Sequence, residues 1–184
     1  MRRAGRAPAS LMTAIALTLA VGAPCAQAAD ARHARHATLA VRALTLSMTA
    51  PTTASLGSAG AKGTISATLG TVTVVDSRPG NPLWTATVSA TDFTTSGPPA
   101  GTIAKGNIAY WSGPITAQSG ASNRTPGQPT AADRVSLSAL ITAFSARKLL
   151  AVTTSTSWKP TLVVTIPVSA VSGTYTGTIT HSVA

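Results

Sequence analysis

The chain has 184 residues, with 14 Lys and Arg against 4 Asp and Glu, and its formal net charge is +10. Glu is absent and Thr, Ser, Val and Ala predominate, a composition typical of strands, because Glu, Lys and Leu fill most helix surfaces. A single cysteine excludes an internal disulfide framework and a zinc site built on several thiolates.

The first 29 residues have the three parts of an export signal. Arg2, Arg3 and Arg6 form a basic start, residues 11–21 are apolar, and Ala26-Gln27-Ala28 is a cleavage motif of the small-x-small type. The apolar run is shorter than a bilayer requires, and no later stretch is long enough, so we expect no transmembrane segment. The sequence therefore predicts a secreted protein, extracellular or associated with the cell wall.

Removal of this signal divides the chain into three predicted parts. Residues 1–29 are the signal peptide, residues 30–37 a flexible basic lead-in, and residues 38–184 a single domain. Cys25 leaves with the signal; the alternative, a lipid-modified Cys25, is disfavoured because Pro24 stands where lipoprotein signals carry a small residue. Outside the cell, the remaining positive charge favours anionic wall polymers or phospholipid headgroups as partners, rather than nucleic acid.

Alternation of apolar and polar residues begins at Leu39 and shifts its phase near Leu44, which predicts a bulge or a strand that changes sheets. The clearest run is GTISATLGTVTVVD, residues 63–76, in which the phase flips at Gly70 and marks a kink. The turn DSRPGNP follows, and LWTATVSATDF resumes the alternation with Trp84 on its apolar face. These two runs predict a β-hairpin.

The second half of the chain contains fewer clear patterns. The polar residues 112–134 are expected to form a long surface loop. Residues 135–152 are assigned to strands, although LITAF within them is compatible with a helical turn. Residues 161–184 predict a closing hairpin, and Tyr175, just after its turn, is placed either to hydrogen-bond back across a corner or to be a half-buried strand residue.

About eight to ten short strands separated by turns, without a convincing helix, predict an all-β fold. We expect an antiparallel immunoglobulin-like β-sandwich, with a closed barrel as the alternative.

Catalytic and metal-binding residues are sparse. After Asp30, the carboxylates are Asp76, Asp92 and Asp133. Asp76 begins a turn and Asp92 ends a strand, and Asp in such places normally accepts hydrogen bonds from the local backbone. A hydrolytic carboxylate pair is therefore disfavoured. His181 is the only histidine inside the domain, and no Gly-x-Ser-x-Gly elbow accompanies it. The turn at residues 76–81 offers too few oxygens for calcium. The sequence predicts no enzyme, no cofactor and no metal.

Aromatic side chains are the best candidates for ligand contact, because exposed rings in β-sandwich modules stack on sugars. Tyr110 and Trp111 adjoin the long loop and are predicted to form a surface patch. Trp84 is a further candidate, although its alternation with Ala86 and Val88 also fits a core position.

Two segments resemble the WxL-type cell-surface domains of Gram-positive bacteria. They are LGTVTVVDSRPGNPLWTATVSATDFT, residues 69–94, and WKPTLVVTIPVSAVSGTYTGTITHSVA, residues 158–184, the latter similar to actinobacterial relatives. The resemblance implies a secreted β-sandwich that attaches non-covalently to peptidoglycan, and Trp84 is the position that carries over. Thr180-His181-Ser182 stands where a second tryptophan motif would fall.

The sequence thus predicts a secreted, non-catalytic cell-surface module that binds the cell wall or another envelope polymer, with other surface proteins as possible partners. One alternative is a structural subunit that assembles by β-strand addition at an unpaired edge. A secreted hydrolase ranks last.

Overall fold

The computed structural model describes residues 44–184, so the predicted signal peptide, the lead-in and the strand residues 39–43 lie outside the described residues. Within residues 44–184 the chain is all-β: it has antiparallel strands, two three-residue 3-10 turns and no α-helix, as the composition predicts. The strands are β1 (Leu46–Thr49), β2 (Thr64–Thr68), β3 (Val72–Asp76), β4 (Leu83–Ala90), β5 (Phe93–Thr94), β6 (Thr102–Ile103), β7 (Ile108–Trp111), β8 (Ile115–Ser119), β9 (Ser122–Pro126), β10 (Val135–Ser136), β11 (Ile141–Lys148), β12 (Thr154–Trp158), β13 (Thr161–Thr165) and β14 (Ile179–Val183).

These strands form three four-stranded sheets and one small ribbon. Sheet I has the order β1-β3-β12-β8, sheet II the order β10-β7-β13-β2, and sheet III the order β14-β4-β11-β9. Strands β5 and β6 pair by themselves. Every pairing is antiparallel, and the short strands are separated by turns rich in Gly, Pro and Ser.

Sheets I and II are connected by two chain segments, each of which continues from a strand of one sheet into a strand of the other. Strands β2 and β13 pair in sheet II, and their continuations β3 and β12 pair in sheet I. The backbone N–H of Leu69 donates to the carbonyl of Pro160 at 2.9 Å across the break. Gly70 has φ +90°, and a Cβ there would lie 2.7 Å from Pro51 Cγ. The predicted kink at Gly70 is therefore confirmed, because only glycine has easy access to this backbone conformation.

Sheet III packs its inner face over both of these sheets, so the described part is sandwich-like. Against sheet I, Trp84 and Phe144 meet Trp158, and the Phe144 and Trp158 rings stack with centroids 4.8 Å apart. Against sheet II, Val88 belongs to a second cluster with Ile108. Threonines and serines cover the outer faces, which explains the alternating burial along β2, β3 and β4.

The predicted hairpins are wrong in their partners, although the strands themselves exist. Strands β3 and β4 lie in sheets I and III, and β13 and β14 lie in sheets II and III, so neither pair is a hairpin. The chain crosses between layers in both places. Residues 161–165 and 179–183 are separated by a loop too long to force the two strands into one ladder.

The predicted long loop also contains two strands, β8 and β9, whose connection crosses from sheet I to sheet III. Arg124 holds this turn, since its guanidinium donates to the carbonyls of Ser119 at 2.6 Å and Gly120 at 2.9 Å. It also donates to the hydroxyl of Thr156 on β12 at 2.9 Å. One charged side chain thus orders a segment whose composition indicated no regular structure. Strand β11 confirms the strand assignment of residues 135–152 over the helical alternative.

A buried charged cluster closes one end of the sandwich. Asp76 is fully buried, and Arg78 donates to both of its carboxylate oxygens at 3.0 and 3.1 Å. Lys148 is 1% exposed and donates to the carbonyl of Arg78. Burial alone would raise the pKa of Asp76, but the hydrogen bonds from Arg78 and the charges of Arg78 and Lys148 outweigh it and hold that pKa below its ordinary value.

Candidate functional site: a cavity at the edges of sheets II and III

The structure separates the three aromatic residues that the sequence nominates for binding. Trp84 is 2% exposed and packs against Phe144 and Trp158 in the core, with ring centroids 6.3 and 6.5 Å away. Tyr110 is completely buried, whereas Trp111 is half-buried. The expected surface pair is therefore corrected: Tyr110 and Trp111 are consecutive residues of β7, and consecutive side chains of a strand point to opposite faces. Of the three, only Trp111 offers part of its ring to a surface ligand.

A cavity of about 780 Å³ lies on the side of the sandwich where β2 ends sheet II and β14 ends sheet III. Its lining includes buried aliphatic and aromatic side chains of the second core cluster: Phe93, Ile103, Leu162 and Val164. Ile65 and Ile179, which point inward from β2 and β14, complete its apolar walls. No Lys, Arg, Asp or Glu lines the cavity within the described part of the chain.

One cover of the cavity is tightly held. It is the loop of residues 166–178, where the backbone of Thr176 exchanges two hydrogen bonds of 2.9 Å with that of Thr94. Tyr175 donates from its hydroxyl to the carbonyl of Val171 at 3.0 Å, which favours the hydrogen-bonded one of the two roles that the sequence left open for it. Gly177 lies directly against the Phe93 ring, with no room for a Cβ.

The other cover, residues 50–61, is here named the strap. Pro51 anchors one end against Gly70, and at the other end the N–H of Lys62 donates to the carbonyl of Ile166 at 3.1 Å. Between these anchors, residues 50–59 make no hydrogen bond to any other described residue. Leu56 is the one half-buried side chain in this stretch and packs on the core.

Serine and threonine residues of the strap and of the loop 166–178 line the cavity beside the aliphatic side chains, so its wall is of mixed polarity. One histidine also enters the cavity. His181 of β14 lines it, and its Nε2 lies 3.2 Å from the hydroxyl of Tyr110, within hydrogen-bond distance. Burial lowers the pKa of His181 to about 4 and raises that of Tyr110, so both groups are neutral near pH 7. The indole N–H of Trp158 is buried without a hydrogen-bond partner among the described residues.

Protonation of His181 is expected to destabilise the fold in mild acid. Its pKa is about 4 in the folded state and about 6.5 unfolded, so the unfolded chain binds the extra proton between these values. The free energy of unfolding should therefore be constant above pH 6.5 and fall on the order of 3 kcal/mol by pH 4. Urea denaturation at successive pH values measures this loss.

The matched variant is His181→Gln, which does not titrate in this range. Its free energy of unfolding should change little between pH 6.5 and pH 4, whereas that of the unmodified protein should fall. An equal decline in both proteins would show that another group causes it.

Each described carboxylate is engaged in local structure. Asp76 pairs with Arg78, Asp92 accepts the backbone N–H of Lys105 at 2.8 Å, and Asp133 accepts from the hydroxyl and N–H of Thr130 in a capping box. His181 contacts a tyrosine rather than a serine or a carboxylate. The site as built suits binding of an uncharged group, since aliphatic side chains, neutral hydroxyl groups and one neutral imidazole line it within the described residues.

Exposed cations are spread over several elements. Lys62 precedes β2, Lys105 lies in a 3-10 turn, Arg134 precedes β10, Arg147 is on the outer face of β11 and Lys159 joins β12 to β13. Arg78–Asp76 is the only ion pair among residues 44–184. These five side chains are therefore not neutralised by carboxylates of the described chain.

Sequence reasoning missed the cavity and Lys148. The alternation of β11 does place Lys148 in phase with the buried Phe144 and Ala146, which is the pattern that identifies it as inward-facing. The cavity has no such local pattern, because its lining comes from distant segments.

No group of three or more His, Cys, Asp or Glu side chains capable of holding a metal occurs in residues 44–184. Nor does this part of the chain contain a helix with the length and apolar character needed to cross a membrane. Comparisons with protein-family models, with curated proteins and with solved structures found no match to this chain.

Proposed function

We propose that the chain is an exported, non-catalytic cell-surface module with an immunoglobulin-like β-sandwich, and that it associates with anionic polymers of the cell envelope. The observation that carries this proposal is the imbalance of charge: five exposed cations have no carboxylate partner within the described residues. A surface field of one sign concentrates polymers of the opposite sign. The engagement of each described carboxylate in local hydrogen bonds supports a binding role over hydrolysis.

Further support comes from the sequence. Residues 1–29 have the form of an export signal, which would deliver the protein to the envelope. The segments around Trp84 and Tyr175 resemble WxL-type surface domains, which are thought to attach to peptidoglycan. The hydroxyl bond of Tyr175 to Val171 also has the form of the tyrosine corner found in immunoglobulin-like domains, which supports the finer fold assignment.

Charge neutralisation is expected to weaken binding to purified cell walls. In a Lys62→Gln, Lys105→Gln, Lys159→Gln variant, the apparent affinity in co-sedimentation at low salt should fall about tenfold, because fewer counterions are released on binding. The unmodified protein should be released as salt is raised.

The matched control replaces the same three lysines with arginine and keeps the charge, so it should bind like the unmodified protein. In the same assay, Trp111→Ala measures how much the Trp111 ring contributes to wall binding. Of the three aromatic residues predicted to bind a ligand, Trp111 is the one that is partly exposed. Binding that is insensitive to salt and equal in the glutamine and arginine variants would contradict an electrostatic association.

A second candidate function is assembly by strand addition. Strand β14 ends sheet III, and no described strand pairs with its outer edge. An extended segment of another chain can add to such an edge through main-chain hydrogen bonds. Concentration-dependent oligomers in gel filtration would favour assembly, and a constant monomer across the concentration range would exclude it.

A further inference from the structure

We propose that the cavity beneath the strap binds a single aliphatic chain of a neutral, lipid-like ligand, and that the strap is its lid. This inference goes beyond envelope association, and it rests on different residues. Binding of lipid-like molecules and binding of anionic polymer are therefore separable by experiment.

Size and lining support a small-molecule site. The cavity volume of about 780 Å³ lies within the roughly 300–1,000 Å³ that is typical of ligand pockets. Leu162 and Val164 of β13 lie beneath it with almost no exposed surface. The half-buried Ile65, Leu69 and Ile179 form the accessible part of its apolar wall. Each Å² of apolar ligand surface removed from water there contributes about 25 cal/mol.

The lining favours an aliphatic ligand over an aromatic one. Isoleucine, leucine and valine side chains form most of its apolar wall. Of its two aromatic rings, that of Phe93 is in contact with the backbone of Gly177, and the hydroxyl of Tyr175 is bonded to Val171. Neither ring is arranged as an open stacking platform, so a flexible hydrocarbon chain fits this wall better than a flat ring.

Charge in the cavity excludes an ionised head group from its interior. Among residues 44–184 no cationic or anionic side chain lines it, and burial of an unpaired carboxylate or ammonium is strongly unfavourable. His181 is neutral near pH 7 and can exchange a hydrogen bond with a hydroxyl or ester group. A fatty alcohol or a monoacylglycerol has this chemistry, whereas an ionised fatty acid does not.

The contrast between the two covers identifies the lid. The loop of residues 166–178 is fixed by its hydrogen bonds and its close contact at Gly177, whereas hydrogen bonds and close contacts to other described residues hold the strap only at its ends and at Leu56. Segments with few backbone hydrogen bonds and little burial open at low free-energy cost. Leu56 is the side chain that closes the strap onto the core, and the strap is otherwise exposed.

The test uses parinaryl alcohol, a neutral dye whose fluorescent part is a linear polyene chain, with the full-length protein. We expect saturable fluorescence enhancement at one site and displacement of the dye by dodecanol. Dodecanoate at pH 8 has the same chain with an ionised head group, and it should compete more weakly by about tenfold or more. Hydrogen exchange in residues 50–61 should slow when dodecanol is bound, and this measurement requires no variant.

Two matched pairs of variants locate the site. Ile65→Phe fills the cavity and should weaken dye binding about tenfold, whereas Leu46→Phe, a half-buried position packed on the other core cluster, should leave it within about twofold. Leu56→Asn should speed dye release by loosening the lid, and Leu140→Asn, at an exposed leucine outside the cavity, should not.

Several results would overturn the proposal. They are the absence of saturable dye binding, equal losses in Ile65→Phe and Leu46→Phe, and unchanged exchange in residues 50–61 with dodecanol bound. Equal competition by dodecanol and dodecanoate would overturn its restriction to neutral ligands. None of these results would affect the salt-dependent binding to cell walls, which depends on the exposed lysines.

Discussion

Replacing Trp158 with alanine is expected to lower the free energy of unfolding by about 4 kcal/mol, because the change opens a cavity in the fully packed core. Trp158 has no exposed surface, and its ring stacks on Phe144 at 4.8 Å and on Trp84 at 6.5 Å. These three rings join sheet I to sheet III. Loss of the Trp158 ring leaves Trp84 and Phe144 without their aromatic partner in sheet I.

Urea denaturation followed by far-ultraviolet circular dichroism measures this loss without relying on tryptophan fluorescence. Trp111→Ala is the matched control, since it removes a side chain of the same type from a half-buried position on β7. Its cost should be about 1 kcal/mol. Equal losses in the two variants would mean that the layers are not held together at Trp158.

Asp76→Asn is expected to cost about 3 kcal/mol at pH 7, because it leaves the charges of Lys148 and Arg78 without their counter-ion at a buried site. The folded-state pKa of Asp76 lies below its unfolded value, so its contribution is fully present above about pH 3.9. That contribution is lost as the pH falls through the lower, folded-state pKa. The difference between variant and unmodified protein should therefore become smaller in strong acid.

Asp92→Asn is the control for this change, since Asp92 is exposed and accepts one backbone N–H from Lys105. It should cost about 1 kcal/mol. Protonation of His181 between pH 6.5 and pH 4 affects all of these proteins equally and cancels in the comparison. A double variant that adds Lys148→Met should be less destabilised than the sum of its single changes, and strict additivity would contradict the buried cluster.

Much of the local structure is readable from the sequence. The all-β class follows from a chain without Glu, and the strands of residues 64–76 and 83–90 follow from alternation with a period of two. The kink at Gly70 follows from the change of phase. A straight strand buries the same face along its whole length, so a switch of the apolar residues to the other face requires a bend. Each of these features depends on neighbouring residues alone.

Part of the candidate site is also local. Alternation in the last strand places Ile179 and His181 on one inward face, and Tyr175 makes the hydrogen bond that was one of the two roles its position after the turn left open. Alternation also separates Tyr110 from Trp111, although the two were expected to form one patch. That error came from treating adjacent aromatic residues as a unit where the pleat directs them to opposite faces.

Strand partners and the cavity were decided by tertiary structure. Strands β4 and β14 pair although about ninety residues of chain separate them, and such pairings gain their free energy from burial across layers that no local window contains. The cavity arises for the same reason: the strap, β2, β13 and the loop before β14 meet only after both layers close.

The sequence alone determined which residues form strands and which faces are apolar, because both depend on local backbone geometry. Which strands adjoin, and what space they leave between them, required the packed chain, because contact between distant segments is a property of the whole fold.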